Sequence, residues 1–172
     1  HMLFKGTETR SAQDIAQEID SIGGQLDAFT AKDCASYYVK VLDEHLPHAF
    51  AVLSDLLLCP IFDPDEILRE KKVVLEEIKM VEDTPDDFVH ELFTQRFWSG
   101  HPLGRPILGL PETVDLFDNQ ALSAYFKRVY TPDNLVVAAA GNVDHGAVKD
   151  LVAEAFGDLP AGRETVKPDS PV

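Results

Sequence analysis

Apolar side chains return at helical intervals along much of the chain and alternate with polar ones in only a few short runs. Ile15, Ile19 and Ile22 share one helix face. Ser11, with Asp14 three residues on, forms a capping pattern before them, and Gly23-Gly24 supplies the backbone freedom that ends the helix. Gln25 to Thr30 and Ala35 to Leu42 read as strands, the second rich in the Tyr37, Tyr38 and Val39 that favour extended backbone. The short polar Ala31-Lys32-Asp33 between them predicts a hairpin. Leu46 to Leu58 is an apolar helix stopped at Cys59-Pro60. Pro64-Asp65-Glu66 opens a long helix reaching about Glu82, because proline suits a first turn and acids suit its positive end. Pro85-Asp86-Asp87 opens another, with Phe88, Leu92 and Phe93 at helical spacing. His101 to Pro106 reads as a loop, Asn119 to Val129 as a helix, and Asp144 to Phe156 as a final helix. Leu135 to Ala140 is wholly apolar, which predicts a short strand buried on both faces.

Many helices, few strands and an antiparallel hairpin give an α+β class, with a mostly antiparallel sheet packed against several helices. A length of 172 residues suits one domain or most of one. Residues 1–160 carry the periodic pattern, whereas 161–172 are rich in proline and polar residues and read as a linker. Thirty acidic against fifteen basic side chains leave a formal charge of −15, a field that repels nucleic acid and anionic membranes. No apolar run approaches the ~20 residues of a membrane span. Cys34 and Cys59 stand in apolar surroundings with no C-x-x-C pair, which predicts two buried free thiols. The lack of a disulfide pattern leaves the compartment open and slightly favours cytoplasm over periplasm.

Two motifs carry chemistry: His1-Met2-Leu3-Phe4-Lys5-Gly6-Thr7 at the start, and Val73-Val74-Leu75-Glu76-Glu77-Ile78 in the middle of the long helix. Around them, in order, stand Arg10-Ser11-Ala12, Gly23-Gly24, Ala28-Phe29-Thr30, Tyr37-Tyr38, His101-Pro102-Leu103-Gly104-Arg105, Tyr130-Thr131-Pro132-Asp133-Asn134 and Ala139-Ala140-Gly141-Asn142-Val143. With this ordered set the chain resembles the pitrilysin/insulinase family of zinc metallopeptidases, in particular its mitochondrial processing peptidase-like and bacterial branch. A leading His-Met is also what tag removal leaves behind, but Leu3 to Thr7 carries the likeness without His1.

The resemblance implies one half of a two-domain metallopeptidase fold and an inverted H-x-x-E-H zinc motif. His1 would be its second histidine and Glu77 the distant glutamate ligand; Glu76, about 100° round the helix, is the alternative. A catalytic zinc takes three protein ligands and keeps one position for water. It lowers the pKa of that water, and a glutamate base then moves the proton. The motif's first histidine and base glutamate would precede His1. No catalytic residue is therefore expected here, and a fragment of this kind is expected to hold Zn2+ weakly and to be inactive.

The resemblance also implies that substrate, a peptide or small protein, lies as an added strand along Leu26-Asp27-Ala28-Phe29-Thr30. The family commonly has asparagine where Asp27 stands, so a basic substrate residue could be favoured nearby. Phe4 matches an aromatic position beside the residue after the cleaved bond; core packing is its other reading. A second homologous domain or subunit is the implied partner, and exposed strand edges suggest self-association. The implied activity is a zinc-dependent endopeptidase; the alternative is a non-catalytic structural or substrate-presenting homologue. His45, His48, His90, His101 and His145 lack partners at metal spacing, and His101 is expected to shape its turn.

Overall fold

The computed structural model describes residues 1–160. A 3-10 turn at Met2–Lys5 leads into α1 (Ala12–Ser21), the hairpin β1 (Gln25–Thr30) and β2 (Ala35–Lys40), α2 (Leu46–Leu58), α3 (Pro64–Asp83) and α4 (Pro85–Phe97). A one-turn α5 (Pro111–Val114), α6 (Asn119–Val129) and α7 (His145–Phe156) follow. The class is α+β.

Local chemistry sets the helix ends. Ser11 and Asp14 form a reciprocal capping box: Asp14 N–H donates to Ser11 Oγ at 3.1 Å, and Ser11 N–H to the Asp14 carboxylate at 2.9 Å. Asp63 accepts from the Asp65 and Glu66 amides and starts α3; Asp118 and Asp144 cap α6 and α7 in the same way. Gly23, at φ +64°, ends α1 in the left-handed region.

The hairpin is antiparallel, with Gln25 opposite Lys40, Ala28 opposite Tyr37 and Thr30 opposite Ala35. Its inner face, through Leu26 and Val39, joins a core made of Ile15 and Ile19 from α1 and Ala49, Val52 and Leu56 from α2. The turn carrying His1 is tied to this block. The backbone at Thr7 bridges to Pro60 and that at Gly6 to Ser11. Asp55 on α2 accepts from Thr7 Oγ1 at 2.6 Å, Thr9 Oγ1 at 3.0 Å and Arg10 Nη1 at 2.8 Å, while Arg10 Nε donates to Glu18. Burial alone would raise the Asp55 carboxyl; the donors from Thr7, Arg10 and Thr9 hold it below the ordinary range.

The expected α+β class holds: among the described residues the sheet is the two-stranded antiparallel hairpin, packed against several helices. Two expectations are corrected. Leu135 to Ala140 forms no ladder, and Val136 is 94% exposed rather than buried on both faces. Its composition favours burial, but extended backbone becomes a strand only beside another, and no described segment pairs with it. Cys34 lies exposed at the hairpin turn and Cys59 half-buried after α2; both are free. Cys34 stands at the hairpin turn, where its neighbours in sequence do not cover it. The linker reading of 161–172 lies outside the described residues.

Candidate metal and substrate site

α3 places Glu70 and Glu77 two turns apart, which puts both carboxylates on one helix face. His1, at the start of the first turn, lies across from them. Its Nδ1 is 2.9 Å from Glu70 Oε2, and its Nε2 is 3.8 Å from Glu77 Oε2. Lys5 Nζ meets the other Glu70 oxygen at 2.5 Å. Burial would raise the Glu70 carboxyl; Lys5 and then His1 hold it below the ordinary range, so it stays ionised. An ionised carboxylate only accepts, so the proton sits on His1 Nδ1. In the neutral ring the lone pair is then on Nε2, facing Glu77.

The two glutamates differ in exposure. The Glu70 side chain is 12% exposed, and that of Glu77 is 38% exposed. Glu76 points away from His1 and pairs with Lys79 at 2.7 Å in solvent. Of the two glutamates weighed from the sequence, Glu77 is the one facing the imidazole. Glu70 is a site residue the sequence reading missed. Its signal was a charged residue at a core-facing position of α3, in register with buried Ile67 and Ile78 and one helical repeat from Glu77.

These donors can be tested against a zinc ion. An imidazole nitrogen and a carboxylate oxygen are ligand types zinc takes, and both face the same space. Glu70 is already engaged by Lys5 and His1. Among the described residues, no group of three or more His, Cys, Asp or Glu side chains is arranged to hold a metal. The donor set therefore fits zinc in kind and falls short in number.

His1 and Glu70 open onto a cleft of about 590 Å³, whose walls include Phe4, Asp27 to Thr30, Val74, Ile107 and Phe117. Phe4 packs against the Tyr37 ring at 6.2 Å and borders the core, so it belongs both to the cleft and to the packing beneath it. β1 pairs with β2 on one side only; its other edge has no ladder partner among the described residues. Along it, Leu26 turns inward, while Asp27, Phe29 and Thr30 are exposed. The Asp27 carboxylate accepts from Tyr38 Oη at 3.1 Å and from the Ala28 amide at 2.8 Å.

The other histidines have local roles. His101 Nδ1 accepts from the Leu103 amide at 3.2 Å and shapes its turn. His45 and His48 lie 3.9 and 3.5 Å from Glu44 and Glu18.

An α+β domain that points an imidazole and a helical carboxylate into a cleft beside an open strand edge has the makings of a metallopeptidase domain. Comparison with known proteins agrees. Residues 1–111 match the family model described as insulinase (peptidase family M16), and residues 117–172 match the model of the peptidase M16 inactive domain. The chain belongs to the insulinase, or M16, family of peptidases. It is 49% identical over 151 residues to "uncharacterized zinc protease YmxG" of Bacillus subtilis, covering 88% of this chain and 37% of that protein. An "uncharacterized zinc protease" of Mycobacterium tuberculosis is 45% identical over 169 residues, 98% of this chain and 39% of that protein. The chain thus spans well under half the length of these relatives. A solved M16 inactive domain from Pseudomonas fluorescens has the same fold, with a TM-score of 0.90 at 20% identity over 99% of this chain and 42% of its own.

Proposed function

We propose that this chain is the metal- and substrate-bearing part of a zinc-dependent endopeptidase, with His1 and Glu77 as two of the metal's ligands. The observation that carries the reading is that His1, which lines the cleft beside a strand edge unpaired among the described residues, turns its Nε2 towards Glu77. Zinc, when bound, polarises the scissile carbonyl and makes its bound water acidic. The remaining roles fall to this chain. Glu70 fixes the imidazole's tautomer and aim, a pattern in which a ligand histidine gives its second N–H to a carboxylate. The edge of β1 from Leu26 to Thr30 offers main-chain donors and acceptors to an extended peptide. Phe4 and Phe29 offer apolar contact, and Asp27 favours a basic substrate residue. The third ligand, the base and the facing wall come from outside the described residues, in a longer protein with a second homologous domain or subunit. The share of the relatives' length that the chain covers supports this.

In the full-length protein, Glu77→Gln is expected to lower peptide hydrolysis by about three orders of magnitude and to reduce bound zinc. The 172-residue chain alone is expected to hold zinc below one equivalent and to cleave nothing. Full activity of the Glu77→Gln protein would overturn the ligand assignment. A second reading, a non-catalytic partner that presents substrate, is favoured by the shortfall of metal donors. It predicts that the full-length protein itself hydrolyses no peptide.

A further inference from the structure

Tyr37 lines the cleft and carries a hydroxyl that the metal chemistry does not use. Tyr37 on β2 lies opposite Ala28 on β1, and both line the cleft. The Tyr37 ring is held between Phe4 at 6.2 Å and Tyr130 at 6.4 Å, and Tyr130 is stacked on Phe126 at 4.4 Å. The two phenol oxygens meet at 2.7 Å.

Two hydroxyls carry two protons, and the bond between them uses one. Neither has another hydrogen-bond partner among the described residues. Burial keeps both phenols protonated. Either phenol can be the donor, and in one arrangement Tyr130 donates and Tyr37 accepts. The surplus O–H then belongs to Tyr37, which is the member of the pair that lines the cleft. A half-buried donor without an acceptor is costly, so it takes an acceptor when one arrives. Asp27, Glu70, His1 and Lys71 line the same cleft, so an incoming group needs no charge of its own to be held there. A neutral carbonyl suits the site.

We propose that the Tyr37 hydroxyl is a substrate-binding donor that reads a main-chain carbonyl of a peptide seated beside β1. The proposal rests on the peptide-cleft reading above. It concerns binding, so it needs neither zinc nor turnover.

The test uses the 172-residue chain and a fluorescent six-residue peptide of Ala, Leu, Phe and one Lys. Acetyl and amide caps leave carbonyls as its only strong acceptors. Tyr37→Phe and Tyr130→Phe remove the same hydroxyl–hydroxyl bond, so both should lower the melting temperature similarly. Only Tyr37→Phe removes the donor to peptide. It should weaken binding about fivefold, the worth of one hydrogen bond, while Tyr130→Phe stays within about twofold of wild type. Carbon-13 labelling of the tyrosine Cζ should show the Tyr37 signal moving on peptide addition in the wild-type chain. Equal weakening by both variants, or no weakening by Tyr37→Phe, would overturn the proposal and leave the cleft reading standing. Failure of the wild-type chain to bind peptide would overturn the cleft reading and this proposal with it.

Discussion

The block made by α1, the hairpin and α2 differs from the stretch running from α4 to Ala140 in what its apolar pattern achieves. In the block, Ile15 and Ile19 recur at helical spacing and meet Ala49, Val52 and Leu56, and all five are buried. On α4, Val89, Phe93 and Phe97 recur every fourth residue, yet they are 57%, 65% and 63% exposed. Phe93 and Phe97 stack on each other at 5.5 Å rather than on a neighbouring element. Apolar residues recur at helical spacing in both places, more sharply on α1 than on α4. A hydrophobic stripe fixes which face of a helix should be covered, whereas burial also needs a second apolar surface in reach. The first region has one; among the described residues, the Val89, Phe93 and Phe97 stripe of α4 does not.

The sharpest way to break that contrast is to truncate one side chain in each region. Leu56→Ala empties a fully buried site and should cost about 3 kcal/mol, combining lost transfer energy with the cavity left behind. Phe93→Ala removes a larger side chain from an exposed face and should change stability by less than about 0.5 kcal/mol. Urea denaturation of the two variants measures both. Equal losses would mean that Phe93 is covered in solution, and the contrast would vanish.

A somewhat smaller effect is expected where the block is held by polar groups. Asp55→Ala leaves Arg10, Thr7 and Thr9 without their shared acceptor and should cost about 2 kcal/mol. The same carboxylate gives the block an acid limit. Its folded pKa lies below the ordinary value, so its contribution is complete above the unfolded pKa and is lost as pH falls through the folded one. Glu70 acts with the same sign. Stability measured from pH 7 downward should hold near pH 5 and fall towards pH 3. Asp55→Asn should flatten that fall; an unchanged slope would show that Asp55 is not the group titrating.

Much of this architecture was legible in the chain because its signals are local. The Ser11–Asp14 capping box, the prolines at Pro64 and Pro85 and the Tyr37-Tyr38-Val39 strand act within one or two turns of themselves. Leu135 to Ala140 shows the limit: six apolar residues state a preference for burial and say nothing of what pairs with them. Cys34 shows it again, since a turn can carry a thiol past the edge of the core. At the candidate site, the motif around Glu77 pointed to the glutamate that lies nearer His1 Nε2. Glu70 went unread because its partners, His1 and Lys5, lie far away in sequence and meet it only through the fold.

Glu70 and Glu77 carry the regional contrast into a single helix face. Glu70 is nearly covered and bonded to Lys5 and to the His1 ring, so it behaves as part of the block. Glu77 is more than a third exposed and makes one long contact, so it belongs to the open side. Glu70→Gln keeps the shape and removes the charge that Lys5 and His1 answer, and should cost about 1 kcal/mol. Glu77→Gln should leave stability within about 0.5 kcal/mol of wild type, because solvent already screens that carboxylate. The two substitutions are chemically identical, seven residues apart and on one helix, so propensity and unfolded-state effects largely cancel between them. Only the surroundings differ. Thermal melts of both variants at neutral pH give the comparison directly. If Glu77→Gln proved as destabilising as Glu70→Gln, Glu77 would be holding the fold together, and its freedom to serve a ligand beside His1 would be lost.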